Sequence, residues 1–422
     1  MSAVLQFSRP PRGILSFLPS FEPETIPPLG PTPFHIPTDL YRGLLDFRVP
    51  LTVAILYFST VSTLNSYNKR NGNKPWAISK SKFFFIFVVL HNIALAIYSG
   101  WTFLGMWGTL QRSIPSPHDP DSLVKIVDSL CKIHGPPGLG NSIIYNATMA
   151  QWVPQSALSS PDGTEIIKLQ SFGRIWNEGL AFYGWIFYLS KFYEVLDTII
   201  ILAKGKRSGT LQTYHHTGAM LCMWAGIRFM SPPIWMFVYV NSAIHTLMYT
   251  YYTITTFNIR VPQILKKGLT TAQIVQFLVG ASYAAIHSFI SYSYLYEFQI
   301  IKTVLKEPAS TTLSSVRSVV TSISLTEKIK DLLITSLGRS NKVRPEAKLP
   351  VFTESYTFHS ERLSSNCLDT SGQNFAVWLN VIYLTPLTFL FMRFFVNSYF
   401  RRSSKNSVQV KAVAVESKEL KH

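Results

Sequence analysis

The chain has 422 residues, of which 47% are hydrophobic and only 14% charged, with 29 Phe and 20 Tyr. Soluble globular chains carry about 25% charged residues, so this composition argues against a soluble domain and for a polytopic membrane protein. The net charge of +17 does not indicate a nucleic-acid binder, because Lys and Arg stand in short clusters between apolar runs, where membrane topology accounts for them.

In chain order, residues 1–44 form a proline-rich tail without the continuous apolar core of a signal peptide, and are expected to stay attached and extended. Seven stretches then approach the roughly 20 apolar residues that a spanning helix requires, at about 47–66, 83–107, 177–203, 213–230, 234–257, 270–297 and 374–400. The expected fold is therefore all-α, a seven-helix membrane domain over residues 45–400. Lys69, Arg70, Lys74, Lys80 and Lys82 lie in the first connection, Lys204, Lys206 and Arg207 in the third, Arg260, Lys266 and Lys267 in the fifth. The tail over 401–422 is basic too, so the positive-inside rule makes these segments cytosolic and the N-terminus lumenal.

The two long connections, 108–176 and 298–373, then fall on the lumenal side, the second containing an insertion at about 300–365. Asn146 opens an Asn-Ala-Thr glycosylation sequon in the first. In the second, Leu313 to Leu337 has the spacing of interfacial amphipathic helices. Of three cysteines, Cys222 lies in the fourth span and Cys131 and Cys367 in the two lumenal connections. A Cys131–Cys367 disulfide is expected, since the lumen is oxidising and two cysteines are placed there. No cysteine has zinc spacing, and no metal site is expected.

Ionisable groups inside a spanning helix are costly and mark a paired network or a site. In the third span Lys191, Glu194, Asp197 and Thr198 share an arc of about 120° at 100° per residue. Lys191 with Glu194 reads equally as a salt bridge against a neighbouring helix, whereas Asp197 is left without a second cation. At the start of the fourth span stand Gln212, His215 and His216, the two imidazoles about 100° apart. Asn241, His245, Tyr249 and Tyr252 in the fifth recur at steps of four, four and three, giving one polar stripe. The topology places all three groups at one depth near the cytosolic face, with Lys204, Lys206, Arg207, Lys266 and Lys267 as a basic rim. A basic rim over an apolar tunnel suits a substrate with a phosphorylated head and a long alkyl tail.

Four ordered motifs resemble the ELO family of fatty acid elongases: K-x-x-E-x-x-D-T at 191–198, the x-x-H-H box ending at His216, N-S-x-I-H-x-x-M-Y-x-Y-Y from Asn241, and T-x-x-Q-x-x-Q-F from Thr270, which contains Gln273 and Gln276. His91-Asn92 and the N-x-x-Y-L-x-P-L-T-x-L-F pattern from Asn380 add to it. Gln212 stands where most animal members have His, an arrangement similar to that of several fungal, algal and plant members. The long insertion and the tail also look fungal.

The resemblance implies seven spans, six of them around a narrow acyl tunnel, residence in the endoplasmic reticulum and 3-oxoacyl-CoA synthase activity. No cofactor beyond the substrates acyl-CoA and malonyl-CoA is expected. The expected partners are the bilayer, the reductases and dehydratase of the elongation cycle, and a second copy of the chain in a homodimer. The mechanism expected here has neutral His215 attacking the thioester and His245 steadying the developing charge. His216, Asn241 and Asp197 fix tautomers, and Lys191, Glu194, Gln212, Tyr249, Tyr252, Gln273 and Gln276 line the substrate path. Direct attack by the malonyl carbanion, with no acyl-enzyme, is the competing route. A di-iron desaturase or hydroxylase needs about eight clustered histidines, and His35, His118, His134, His359 and His422 lie in tails or lumenal loops.

Overall fold

The computed structural model describes residues 3–15, 19, 26–146, 149, 151–155, 172–306 and 351–401, of which 296–306, 351–359 and 401 are described by backbone alone. The chain forms two compact units, Met1–Tyr294 with Ser364–His422, and Leu295–Leu363.

The first unit is mostly helical. A short helix α1 (Thr38–Leu44) leads into α2 (Arg48–Arg70), whose last turn carries Lys69 and Arg70, the sign the helix dipole favours there. Then comes α3 (Lys82–Ser113), 32 residues and about 48 Å long, started by Ser81, whose hydroxyl accepts from the Phe84 amide at 3.1 Å. After α4 (Ser122–Cys131) follow α5 (Ala181–Tyr193), α6 (Val195–Ala203), α7 (Thr210–Arg228), α8 (Ile234–Thr256), α9 (Gln263–His287) and α10 (Ser371–Phe395). The core is aromatic and aliphatic, with Tyr41, Met106, Trp176, Phe182, Tyr188, Trp224, Val238 and Leu387 buried in one cluster.

Among the described residues, four helices are long and apolar enough to cross a membrane: α2, α3, α9, and α10 with the turns that follow it. The chain is thus a polytopic helical membrane protein. The expected third span is interrupted at Glu194, which caps both α5 and α6. The expected fourth and fifth spans are single helices, α7 and α8, whose Gln212, His215, His216, Asn241, His245 and tyrosines dilute their apolar content.

Two expectations change. The apolar count extends the sixth span to residue 297, but α9 ends at His287 and a strand, β4 (Ile290–Lys306), begins. Ile-Ser-Tyr-Ser-Tyr at 290–294 alternates with the period of a half-buried strand, which the apolar count alone obscures. The N-terminal tail is not merely extended. Its strand β1 (Val4–Phe7) pairs antiparallel with β4, Phe7 opposite Ile290 and Val4 opposite Ser293. The carbonyls of Pro27 and Pro28 accept from the Tyr41 hydroxyl and the Trp176 indole at 3.2 and 2.8 Å.

The first long connection holds α4 and a hairpin, β2 (Ile143–Asn146) with β3 (Gln151–Pro154). Cys131 and Cys367 are joined in a disulfide with an S–S distance of 1.97 Å. Beside it Arg174, 1% exposed, donates to the Asp128 carboxylate at 2.7 Å and to the carbonyls of Lys132, Pro136 and Gly138 at 2.6–2.8 Å. Tyr292 donates to the other Asp128 oxygen at 2.6 Å, and Lys132 pairs with Asp369. In the second unit, the outer parts of β4 and β5 (Val351–Asn366) are neighbours in one sheet. The segment Leu313–Leu337, the sequon residues Ala147 and Thr148 and the tail 402–422 lie outside the described residues.

Candidate functional site

The break between α5 and α6 turns the polar wall of the third span toward α8. Lys191 Nζ donates to Glu194 Oε1 at 2.7 Å and to Asn241 Oδ1 at 3.3 Å, and lies 4.0 Å from the Phe187 ring centroid. Glu194 also accepts from the Ser190 hydroxyl at 3.3 Å, and His245 Nδ1 stands 3.6 Å from it. Lys191 and Glu194 are both buried; such a pair holds together only because each charge answers the other and the remaining polar positions are filled.

Asp197 is not the solitary carboxylate expected. His91 Nε2 lies 2.9 Å from one of its oxygens and the Tyr249 hydroxyl donates to the other at 2.6 Å, while His91 Nδ1 is 3.3 Å from the Tyr193 hydroxyl. Sequence alone could not find this pair, whose members are 106 positions apart; the signal available was His91-Asn92 inside an otherwise apolar run.

On the first turns of α7, the Gln212 amide donates to His216 Nε2 at 3.2 Å and to Thr198 Oγ1 at 3.3 Å, and Tyr57 meets the same Thr198 hydroxyl at 2.8 Å. Gln212 therefore orients His216 rather than His215. The His215 ring instead meets Tyr383 of α10, Nδ1 to Oη at 2.9 Å. Asn241 is bonded to Lys191, and Asp197 to His91 and Tyr249, so the tautomer of His215 is not in the hands of His216, Asn241 or Asp197.

These side chains surround a cavity of about 550 Å³. Glu194, Asp197, Gln212, His215, His216, Asn241, His245, Tyr249, Tyr252, Gln273 and Gln276 all line it, together with Ile200, Ile244, Met248, Phe277 and Phe391. The whole stripe read from α8 thus faces one space. A second cavity of about 30 Å³ shares His215, Asn241, Gln276 and Phe277 and is closed by Phe187, Ala219, Met223, Phe237, Tyr383 and Leu384. Lys191 lines only this smaller one.

Of the expected rim, Lys204 and Lys266 line the larger cavity, whereas Lys206, Arg207 and Lys267 line neither. Lys206 and Arg207 are exposed, and Lys267 Nζ lies 5.8 Å from the Tyr399 ring centroid. Among the described residues no group of three or more His, Cys, Asp and Glu is arranged to hold a metal ion. Asn146, half-buried, accepts from the Met149 amide at 3.2 Å.

Fold and site together define a polytopic helical membrane protein with paired imidazoles beside a half-apolar internal cavity. The chain belongs to the ELO (GNS1/SUR4) family, whose profile matches residues 44–407. It is similar to very long chain fatty acid elongase 3 of Homo sapiens, 34% identical over 105 residues, which is 25% of this chain and 39% of that protein. Fatty acid elongase sre1 of Dictyostelium discoideum is 41% identical over 104 residues, 24% of this chain and 38% of that one. Fatty acid elongase A of the same organism is 34% identical over 131 residues, 31% and 46% respectively. The chain thus spans less than half the length of each of these relatives.

Proposed function

We propose that this protein is a condensing enzyme of fatty-acid elongation, joining a long-chain acyl-CoA and malonyl-CoA to give 3-oxoacyl-CoA, CO2 and CoA. The observation that carries the reading is the larger cavity, which gathers His215, His245, Gln276 and the Asn241–Tyr252 stripe with Lys204 and Lys266, next to a small second cavity that shares His215, Asn241 and Gln276 and is walled by Met223, Phe237 and Leu384. Cationic groups suit the phosphates of a CoA head, and the apolar walls suit an alkyl chain.

The chemistry runs in two steps. An imidazole nitrogen of His215 attacks the thioester carbonyl and the C–S bond breaks, leaving an acyl-imidazolium and CoA thiolate. Malonyl-CoA then loses CO2, its enolate carbon attacks the acyl carbon, and the electron pair of the C–N bond returns to the ring. Water would protonate the enolate, so a site closed within the bundle protects it. His245 opposes the developing negative charge, and Lys191 with Glu194 fixes the wall on which it acts.

The remaining parts of the proposal are a seven-helix arrangement with six helices around the acyl tunnel, residence in the endoplasmic reticulum, a lumenal N-terminus and a cytosolic C-terminus. The partners proposed are the reductases and dehydratase of the same cycle and a second copy of the chain. Purified protein given acyl-CoA alone should release one equivalent of CoA and gain one acyl mass on a histidine peptide. With malonyl-CoA added it should make 3-oxoacyl-CoA. Product formation with no acyl adduct at any histidine would replace the two-step route by direct carbanion attack, and absence of product from a panel of acyl-CoAs would overturn the condensing reading.

A further inference from the structure

The His215 side chain touches Tyr383, the tyrosine of the pattern that begins at Asn380, to which no role has been given above. Tyr383 Oη lies 2.9 Å from His215 Nδ1 and donates at 3.0 Å to the main-chain carbonyl of the same histidine. A phenol has one proton. If that proton went to Nδ1, the phenol and carbonyl oxygens would face each other at 3.0 Å with no hydrogen between them, which is repulsive. With the proton on the carbonyl side, the phenol oxygen is free to accept from an Nδ1–H, and both contacts are favourable.

We propose that Tyr383 is a positioning residue that holds His215 in the Nδ1–H tautomer, so that the Nε2 lone pair is the one presented to substrate. The proposal rests on the elongation reading above. Among the described residues no hydrogen bond engages Nε2, and His215 lines both cavities.

The surroundings fix the phenol in place. Its ring stacks on Tyr214 of α7, centroids 5.6 Å apart, and the Tyr214 hydroxyl donates to the Tyr383 carbonyl at 3.2 Å. Beneath it is Gly218, where a Cβ would lie 2.2 Å from a carbon of the ring. No other residue at 218 admits the phenol without displacing it, so glycine one turn after the histidines is what lets α10 approach.

The arrangement also says what happens to the proton. When Nε2 attacks the thioester and CoA thiolate leaves, the ring retains Nδ1–H and becomes an acyl-imidazolium. Tyr383 accepts that hydrogen bond, and its own proton is held by a carbonyl that cannot pass it on. The acyl group therefore stays on a cationic ring, a better leaving group for the enolate than a neutral imidazole. When the carbon–carbon bond forms, the pair returns to Nε2 and the starting tautomer is restored.

The test uses the full chain in detergent with 15N-labelled histidine, the His215 signals being identified by their loss in His215→Gln. The wild-type protein should show a protonated Nδ1 and an unprotonated Nε2 at His215. Tyr383→Phe should show a mixture of tautomers, with kcat for condensation reduced ten- to a hundred-fold and KM for malonyl-CoA changed less than two-fold. An Nε2–H tautomer in the wild-type protein overturns the proposal, and this reading needs no variant to fold. Unchanged kcat in a folded Tyr383→Phe overturns it too. A wild-type chain with Nδ1–H that forms no 3-oxoacyl-CoA overturns the elongation reading instead and leaves the tautomer assignment supported.

Discussion

At the Ser113 end of α3, Arg174 answers Asp128, Tyr292 completes that carboxylate, Lys132 answers Asp369 and the disulfide ties Cys131 to Cys367. Toward the Lys82 end, His91 binds Asp197 and Lys191 binds Glu194, but His215, His245 and Gln276 turn toward a cavity, and among the described residues Gln276 Oε1 has no hydrogen-bond partner. The first end pairs its charges with one another, Arg174 with Asp128 and Lys132 with Asp369. The second keeps pairing for its walls and leaves the inner faces available, which is the condition for meeting a ligand. Damage to the two ends should therefore look different, one costing stability and the other turnover.

The largest effect is expected at the cavity. His215→Ala should lower condensation by about a thousand-fold or more while the thermal midpoint of the purified protein stays near the wild-type value. A variant with near-normal 3-oxoacyl-CoA output would remove His215 from the chemistry. At the other end, Arg174→Met strands the buried Asp128 and should destabilise by about 3–5 kcal/mol, with the surviving folded molecules keeping the wild-type KM. Equal thermal midpoints for Arg174→Met and wild type would show that the network is ornamental.

Replacing Cys131 and Cys367 together by Ser should cost about 2–5 kcal/mol, read as a lowered midpoint that reductant no longer shifts. A pH effect comes next. Burial, helped by Arg174, holds the His134 pKa down at about 3, below the roughly 6.5 of an unfolded chain. Between these values the unfolded state binds the extra proton, so stability is full above about pH 6.5 and is lost as pH falls. From pH 7 to pH 5 the loss is about 2 kcal/mol; in His134→Gln this part of the acid sensitivity should vanish, and if it persists the histidine is not its source. The smallest effect is that of Gln212→Ala, which removes an orienting amide from His216 and should slow turnover by several-fold, about 1 kcal/mol.

The legible parts of the molecule are those with a period. Asn241, His245, Tyr249 and Tyr252 recur at helical steps and all face one cavity, and the Lys191–Asp197 wall was visible for the same reason. The interruption at Glu194 was not, because a change of ψ to −13° at one residue leaves the apolar pattern of the span intact. Partners far apart in sequence were equally hidden: His91 with Asp197, Tyr383 with His215, Tyr292 with Asp128. Nothing local to Tyr383 tells which helix it will meet. The rim is narrower than the sequence suggests, since Lys206, Arg207 and Lys267 are near the cavity residues in sequence yet do not line the cavity. Proximity along a loop does not set direction.

The disulfide joins positions 236 residues apart, with α5 to α9 between them. During synthesis at about 5–20 residues per second, Cys131 must wait some tens of seconds for its partner to emerge. For that interval a reactive thiol is on offer to any other oxidant or thiol nearby, and the bond can close only after the segments that bear His215, His245 and their neighbours have all been made. Its closure is therefore a timestamp of completed synthesis. Chains truncated before residue 367, or delayed there, would remain distinguishable by a free thiol at Cys131.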